Sequence, residues 1–261
     1  MSNTTDDRLQ AFNRLLDIMD ELREKCPWDR EQTFESLRTL TIEETYELAD
    51  AILKRDMNDI KKELGDLLLH IVFYAKMGDE LGQFDISSVI TGLCDKLVYR
   101  HPHVFGEVKA DNANAVSQNW EQLKIKEKDG NKTILSGVPT AMPALAKASR
   151  IQEKVAAVGF DWEERTQVWD KVKEEYNELK AEVENMDAKR TEEEFGDLLF
   201  SLVNAARLYG IDPESALERT NQKFMKRFGY LESKTIKQGQ SLNDMSLDEM
   251  NKIWEEAKQF D

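Results

Sequence analysis

The chain has 261 residues, 40% of them hydrophobic and 33% charged, with only 5 prolines and 12 glycines. That apolar content supports a packed interior and excludes wholesale disorder, and the scarcity of helix breakers points to long helices. A net charge of −15 sets the chain against nucleic-acid backbones and anionic membranes, and admits a polyanionic substrate only through a bridging cation.

Residues 1–14 are polar, without the apolar stretch of a secretory signal. No apolar run is long enough to span a bilayer. The two cysteines, Cys26 and Cys94, make no disulfide framework, which fits the reducing cytoplasm. Residues 7–24 place Leu9, Phe12, Leu15, Leu16, Met19 and Leu22 at a helical period. A second helix is expected over 41–54, with Thr41 as its N-cap, and a third over 58–78. Helices over 86–99 and 114–127 follow, separated by a loop at 101–115 that holds Pro102 and Gly106. Residues 128–143 read as a connector, and the second half repeats the order of the first. The fold class is therefore all-α, two tandem helical-bundle repeats with essentially no sheet. Their boundary is placed near residue 135, giving units 1–135 and 136–261.

The repeat is explicit in the residues. Glu43-Glu44-Thr45-Tyr46-Glu47 and Glu63-Leu64-Gly65-Asp66-Leu67-Leu68 return as Glu174-Glu175-Tyr176-Asn177-Glu178 and Glu194-Phe195-Gly196-Asp197-Leu198-Leu199, at a constant offset of 131. Pro27-Trp28-Asp29 is answered by Phe160-Asp161-Trp162, Lys96 to Arg100 by Lys223 to Arg227, and Trp120-Glu121 by Trp254-Glu255.

Positions three or four apart share a helix face, so Glu44 projects with Glu47, Glu63 with Asp66, Glu175 with Glu178 and Glu194 with Asp197. Two packed helices can then aim four carboxylates at one point. Such a cluster is strongly unfavourable without a cation, and oxygen ligands select a hard one, Mg²⁺, Mn²⁺ or Ca²⁺. A lone Glu-Glu-x-x-Glu in an acidic chain is ordinarily a solvated face. Recurrence of both pairs at one spacing overturns that reading. A di-iron bundle is the rival, but it adds Glu-x-x-His, and the three histidines, His70, His101 and His103, all lie in the first half. Gly65 and Gly196 inside helices, each costing about 1 kcal/mol against alanine, read as points of close helix packing.

Lys223 and Arg227, four apart, could clamp phosphates, as could Lys96 and Arg100 in the first copy. Lys171 lies one turn before Glu175, and its counterpart is Leu40. Trp254 is a candidate to stack on a base or to anchor a core. No Ser-His-Asp or Cys-His constellation and no Gly-x-x-x-x-Gly-Lys loop is present.

These motifs, with Cys26-Pro27-Trp28-Asp29, Arg100-His101-Pro102-His103-Val104-Phe105 and Val158-Gly159-Phe160-Asp161-Trp162, resemble the MazG family of nucleoside triphosphate pyrophosphohydrolases over nearly the whole chain. The resemblance implies hydrolysis of NTPs and dNTPs, ATP included, to monophosphate and pyrophosphate, a helical-bundle fold and a homodimer. It implies that Glu175, Glu178, Glu194 and Asp197 bind Mg²⁺ (Mn²⁺ as a substitute) and serve catalysis, that Lys171, Lys223 and Arg227 contact the triphosphate, and that Trp254 contacts the base. Glu174, Arg190 and Glu193 are further substrate-binding candidates. It also implies that the C-terminal copy is active, with Glu44, Glu47, Glu63, Asp66, Lys96 and Arg100 forming a structural or weakly active N-terminal copy. The alternative is a non-catalytic dimerisation or regulatory module that binds a nucleotide or metal. Release of pyrophosphate from NTP and Mg²⁺ discriminates the two.

Overall fold

Apolar residues recurring every three or four positions make every regular element helical in a computed structural model, which describes residues 5–107, 133–237, 239 and 241–260, together with 116, 120, 123 and 124. The chain divides into two compact units, Met1–Lys109 and Ala110–Asp261. Most of residues 108–132 lie outside the described residues, as does most of the helix expected over 114–127; Val116, Trp120, Leu123 and Lys124 are helical.

The N-terminal unit contains α1 (Thr5–Lys25), α2 (Pro27–Glu31), α3 (Phe34–Lys54), α4 (Met57–Glu80), α5 (Ile86–Arg100) and α6 (Pro102–Phe105). Its core is built from Met19, Leu37, Val72, Phe73 and Met77, with Phe12, Leu15, Leu16, Phe34, Leu40, Leu69 and Tyr74 packed against them. Pro27 and Pro102 start α2 and α6, because proline gives up only a donor that a helix start leaves unpaired.

The second helix starts earlier than the sequence suggests. Thr33 is the N-cap of α3, accepting from Ser36 N in a reciprocal capping box. Thr41 lies inside the helix, and its hydroxyl donates to Leu37 O at 3.0 Å. Having spent its one proton there, it accepts from the Tyr74 hydroxyl at 2.7 Å and from His70 Nδ1 at 2.9 Å.

The C-terminal unit contains α7 (Ala144–Ala156), α8 (Val168–Asn185), α9 (Ala188–Leu208), α10 (Pro213–Lys237) and α11 (Leu247–Ala257). Its buried residues include Val168, Leu179, Val203, Ala205, Leu231, Ile253 and Ala257. Ser246 and Glu249 form the capping box that starts α11.

One supersecondary unit occurs twice, the hairpin α3–α4 and the hairpin α8–α9. Each first helix ends on a left-handed residue, Arg55 or Met186, both at φ 58. Each second helix is capped by the aspartate that follows. Asp56 accepts from Asn58 N and Asp59 N, and Asp187 from Lys189 N and Arg190 N. The same turn chemistry sets the same register, which brings the acids of the two helices together in both units.

Candidate metal centre

Glu175 and Glu178 lie on α8, Glu194 and Asp197 on α9. Oxygens of Glu175, Glu194 and Asp197 all lie within 4.8 Å of one another. Glu175 is buried at 6% exposure, Glu194 is half-buried and Asp197 exposed. Glu178 is exposed and falls outside this group. Three of the four expected acids thus meet within that distance, and Glu178 stands close enough that its charge acts on Glu194. Loss of hydration, then the charges of Glu178, Asp197 and Glu175, push the Glu194 carboxyl above the usual range. Its Oε2 is buried without a hydrogen-bond partner. An all-oxygen donor set with an orphaned buried carboxylate oxygen fits a hard divalent cation.

Lys171 approaches the trio from one turn before Glu175. Its Nζ is 2.7 Å from Glu175 Oε1 and 2.9 Å from Glu174 Oε1, and these hydrogen bonds raise its pKa.

Beside the trio opens a cavity of about 550 Å³, whose lining includes Gln152, Asp161, Trp162, Lys171, Asn204 and Arg207. Glu175 and Asp197 stand in its wall. Arg207 holds Asp161 through two hydrogen bonds, at 3.0 Å and 2.5 Å, and Asn204 Oδ1 accepts from Arg207 Nε at 3.0 Å. Gln152, only 3% exposed, donates to Phe200 O at 2.9 Å, while its Oε1 has no partner.

In the N-terminal unit, Glu44, Glu63 and Asp66 repeat the trio, again within 4.8 Å. Glu47 is exposed and outside it, as Glu178 is. Burial and then Asp66, Glu47 and Glu63 raise the Glu44 pKa. The lysine beside this trio comes from the other helix of the hairpin: Lys62 Nζ is 2.9 Å from Glu63 Oε1 and 3.9 Å from Asp66 Oδ2.

Other sequence candidates lie elsewhere. Arg190 pairs with Glu182 at 3.7 Å and Asp187 at 3.8 Å, and Glu193 with Lys189 at 3.9 Å. These are pairs at the hairpin turn and along the exposed side of α9, where position 193 points away from position 194. Arg227 packs over the Trp254 ring, 5.7 Å from its centroid, and Phe224 tilts against the same ring at 4.9 Å. Trp254 thus sits in a contact between α10 and α11, and neither it nor the exposed Lys223 lines the cavity. Lys96 is exposed and Arg100 half-buried at the end of α5. Gly65 and Gly196 do not mark tight packing: a Cβ at either would meet nothing within 4 Å. Both face open space, so the acids converge without them.

Gln152, Asn204, Arg207 and Lys62 were not candidates in the sequence. Asp161 and Trp162 were visible as a repeated motif, but only folding turns that motif toward the acids.

A sequence profile described as the MazG nucleotide pyrophosphohydrolase domain matches residues 32–105 and 164–230, one segment in each unit. The chain is 42% identical over 257 residues to a nucleoside triphosphate pyrophosphohydrolase of Escherichia coli strain K12, covering 96% of this chain and 98% of that protein. It is 44% identical over 250 residues to the nucleoside triphosphate pyrophosphohydrolase/pyrophosphatase MazG of Thermotoga maritima, covering 95% of each. An uncharacterized Bacillus subtilis protein, YabN, is 46% identical over 95% of this chain and 52% of its own length.

Proposed function

The chain belongs to the MazG nucleotide pyrophosphohydrolase family, and from that premise we propose that it hydrolyses nucleoside triphosphates, ATP and other NTPs and dNTPs, to monophosphate and pyrophosphate in its C-terminal unit. One observation carries this reading: a tight trio of acids with a lysine at its side, standing in the wall of a cavity large enough for a nucleoside. A non-catalytic scaffold would not need these three parts together.

Glu175, Glu194 and Asp197 would hold Mg²⁺, or Mn²⁺ in its place, and a cation held there would supply charge neutralisation for the phosphate oxygens and the departing pyrophosphate. Lys171 exchanges one of its carboxylate partners for a phosphate oxygen when substrate enters. Glu178, one turn from Glu175 and close enough to act on Glu194, would accept the proton of the water that attacks the α-phosphorus. The nucleoside occupies the cavity, where Trp162 offers an aromatic face and Gln152 and Asn204 offer amides. The Arg207–Asp161 pair holds the Trp162 segment against α9. Lys223, Arg227 and Trp254 lie outside the cavity lining, with Arg227 over the Trp254 ring, and remain the candidates for contact with the triphosphate and the base.

The active form is a homodimer. Tyr176, Phe195 and Leu199 are 55%, 52% and 55% exposed on the hairpin that bears the site, an apolar surface that a second copy would cover. The two cysteines are unpaired, which suits the cytoplasm. No described helix is long and apolar enough to cross a membrane.

The test is product analysis with NTP and Mg²⁺. Monophosphate and pyrophosphate in equal amounts, abolished by chelator and restored by Mg²⁺ or Mn²⁺, are expected. Diphosphate and orthophosphate, or binding without turnover, would sink the reading.

A further inference from the structure

We propose that Gln152 reads the base of the substrate: its Oε1 accepts a hydrogen bond from an N–H on the base edge, so the C-terminal cavity selects nucleotides whose base carries such a donor. This rests on the reading that the nucleoside occupies that cavity, and it adds the group that recognises it.

The first observation is a polar side chain where the helix pattern calls for an apolar one. Ile151, Gln152 and Val155 lie on the face of α7 that lines the cavity. Gln152 is 3% exposed, and its Oε1 is buried with no hydrogen-bond partner among the described residues. A buried acceptor left unpaired is destabilising, a penalty that a leucine at this position would avoid. The amide cannot relieve it by turning over. Its Nε2 donates to Phe200 O at 2.9 Å, and the reversed group would set two carbonyl oxygens face to face. What remains is an acceptor, and it calls for a donor from a molecule in the cavity.

The second observation is the amide beside it. Asn204 stands one turn beyond Phe200 on α9 and lines the same cavity. Its Oδ1 accepts from Arg207 Nε at 3.0 Å and from Arg207 Nη2 at 2.8 Å, so the group it has left is its nitrogen, a donor. Arg207 is itself held by Asp161. Each amide is thus oriented by its other bond, and together they present an acceptor from α7 and a donor from α9. A nucleobase edge is the matching surface, an N–H beside a lone pair. Phe160, Trp162 and Phe200 line the cavity with aromatic surface, where a hydrogen bond is stronger than in water. Trp162 meets the face of the base and the amides meet its edge.

The experiment compares ATP with purine riboside 5′-triphosphate, the same purine nucleotide without the exocyclic amino group and so without any N–H on its base edge. Pyrophosphate release by the full chain with Mg²⁺ is expected to show a KM about tenfold higher for purine riboside triphosphate at similar kcat, since a bond made equally in ground and transition states acts on binding alone. Gln152→Met keeps the length of the side chain and removes the acceptor. It is expected to raise KM for ATP and to narrow the ratio to less than about twofold. Gln152→Leu repeats the comparison, and melting temperature checks that both variants fold. Equal KM values in the parent would overturn the proposal without any variant, as would a preference that survives in a folded Gln152 variant. Calorimetric binding of adenosine and of purine riboside needs neither metal nor turnover, and so keeps this proposal apart from the catalytic reading. A parent that releases no pyrophosphate yet binds adenosine about tenfold more tightly than purine riboside, with the preference lost in Gln152→Met, would sink the catalytic reading and uphold this one.

Discussion

The two helical hairpins carry the same acids in the same register, yet one stands beside a cavity and the other beside packed core. The difference lies in what faces the acids. Leu40, His70, Phe73 and Tyr74 stand where the second unit has Lys171, Ser201, Asn204 and Ala205. Duplication has preserved the ligand geometry through the turn and caps, which are local. Access is decided by side chains on the adjacent face, which can fill without disturbing the ligands. A preserved motif therefore marks where a cation can sit, not where a substrate can enter.

The largest expected effect is on turnover. Glu175→Gln should lower kcat by about three orders of magnitude, roughly 4 kcal/mol of transition-state stabilisation, whereas Glu44→Gln should keep most of it. Steady-state pyrophosphate release measures both, and the reverse pattern would exchange the roles of the units.

Next is the buried face. Phe73→Ala should cost about 3–5 kcal/mol by opening a cavity in a filled core. Asn204→Ala should cost only about 1 kcal/mol, from its bonds to Arg207, and raise KM several-fold. Urea unfolding with steady-state kinetics tests the pair; equal destabilisation would show that the second face is packed too.

The lysines come third. Lys171→Met should lower kcat/KM about tenfold, near 1.4 kcal/mol, and Lys62→Met should change it by less than about twofold, which is under 0.5 kcal/mol. A loss of similar size from both would mean that the two lysines serve one role.

The smallest effect is a pH dependence shared by the two trios. Glu44 and Glu194 both have pKa values raised above 4.5 in the folded chain, by burial and by neighbouring acids. A raised folded pKa contributes stability that is full below the ordinary value and is lost as pH rises through the folded one. In chelator, melting temperature should therefore rise as pH is lowered through the raised folded values toward 4.5, and Mg²⁺ should flatten the slope. A slope unaltered in Glu44→Gln and Glu194→Gln would assign it to other groups.

Several features were legible before folding because they depend on neighbours in sequence. Three-residue spacing put Glu63 beside Asp66 and Glu194 beside Asp197, and the 131-residue offset exposed the repeat. Thr41 was misjudged as a cap because the start of α3 depends on Thr33 and Ser36, while Thr41 is held by Tyr74 and His70 from another helix. Gly65 and Gly196 suggested tight packing, but spacing says nothing of what stands opposite a helix face. Arg190 and Glu193 neighbour the acids in sequence but are paired with Glu182, Asp187 and Lys189.

The sequence alone determined the helices, their duplication and which acids share a face, since caps and the 3.6-residue period act over a few residues. Only the tertiary structure decided which acid oxygens come within 4.8 Å of one another, that Lys62 stands beside the first trio where Lys171 stands beside the second, and that one unit keeps a cavity where the other is filled. The last of these depends on packing between helices distant in the chain, α1 against α4 in one unit and α7 against α9 in the other, and no local pattern encodes which side chains meet there.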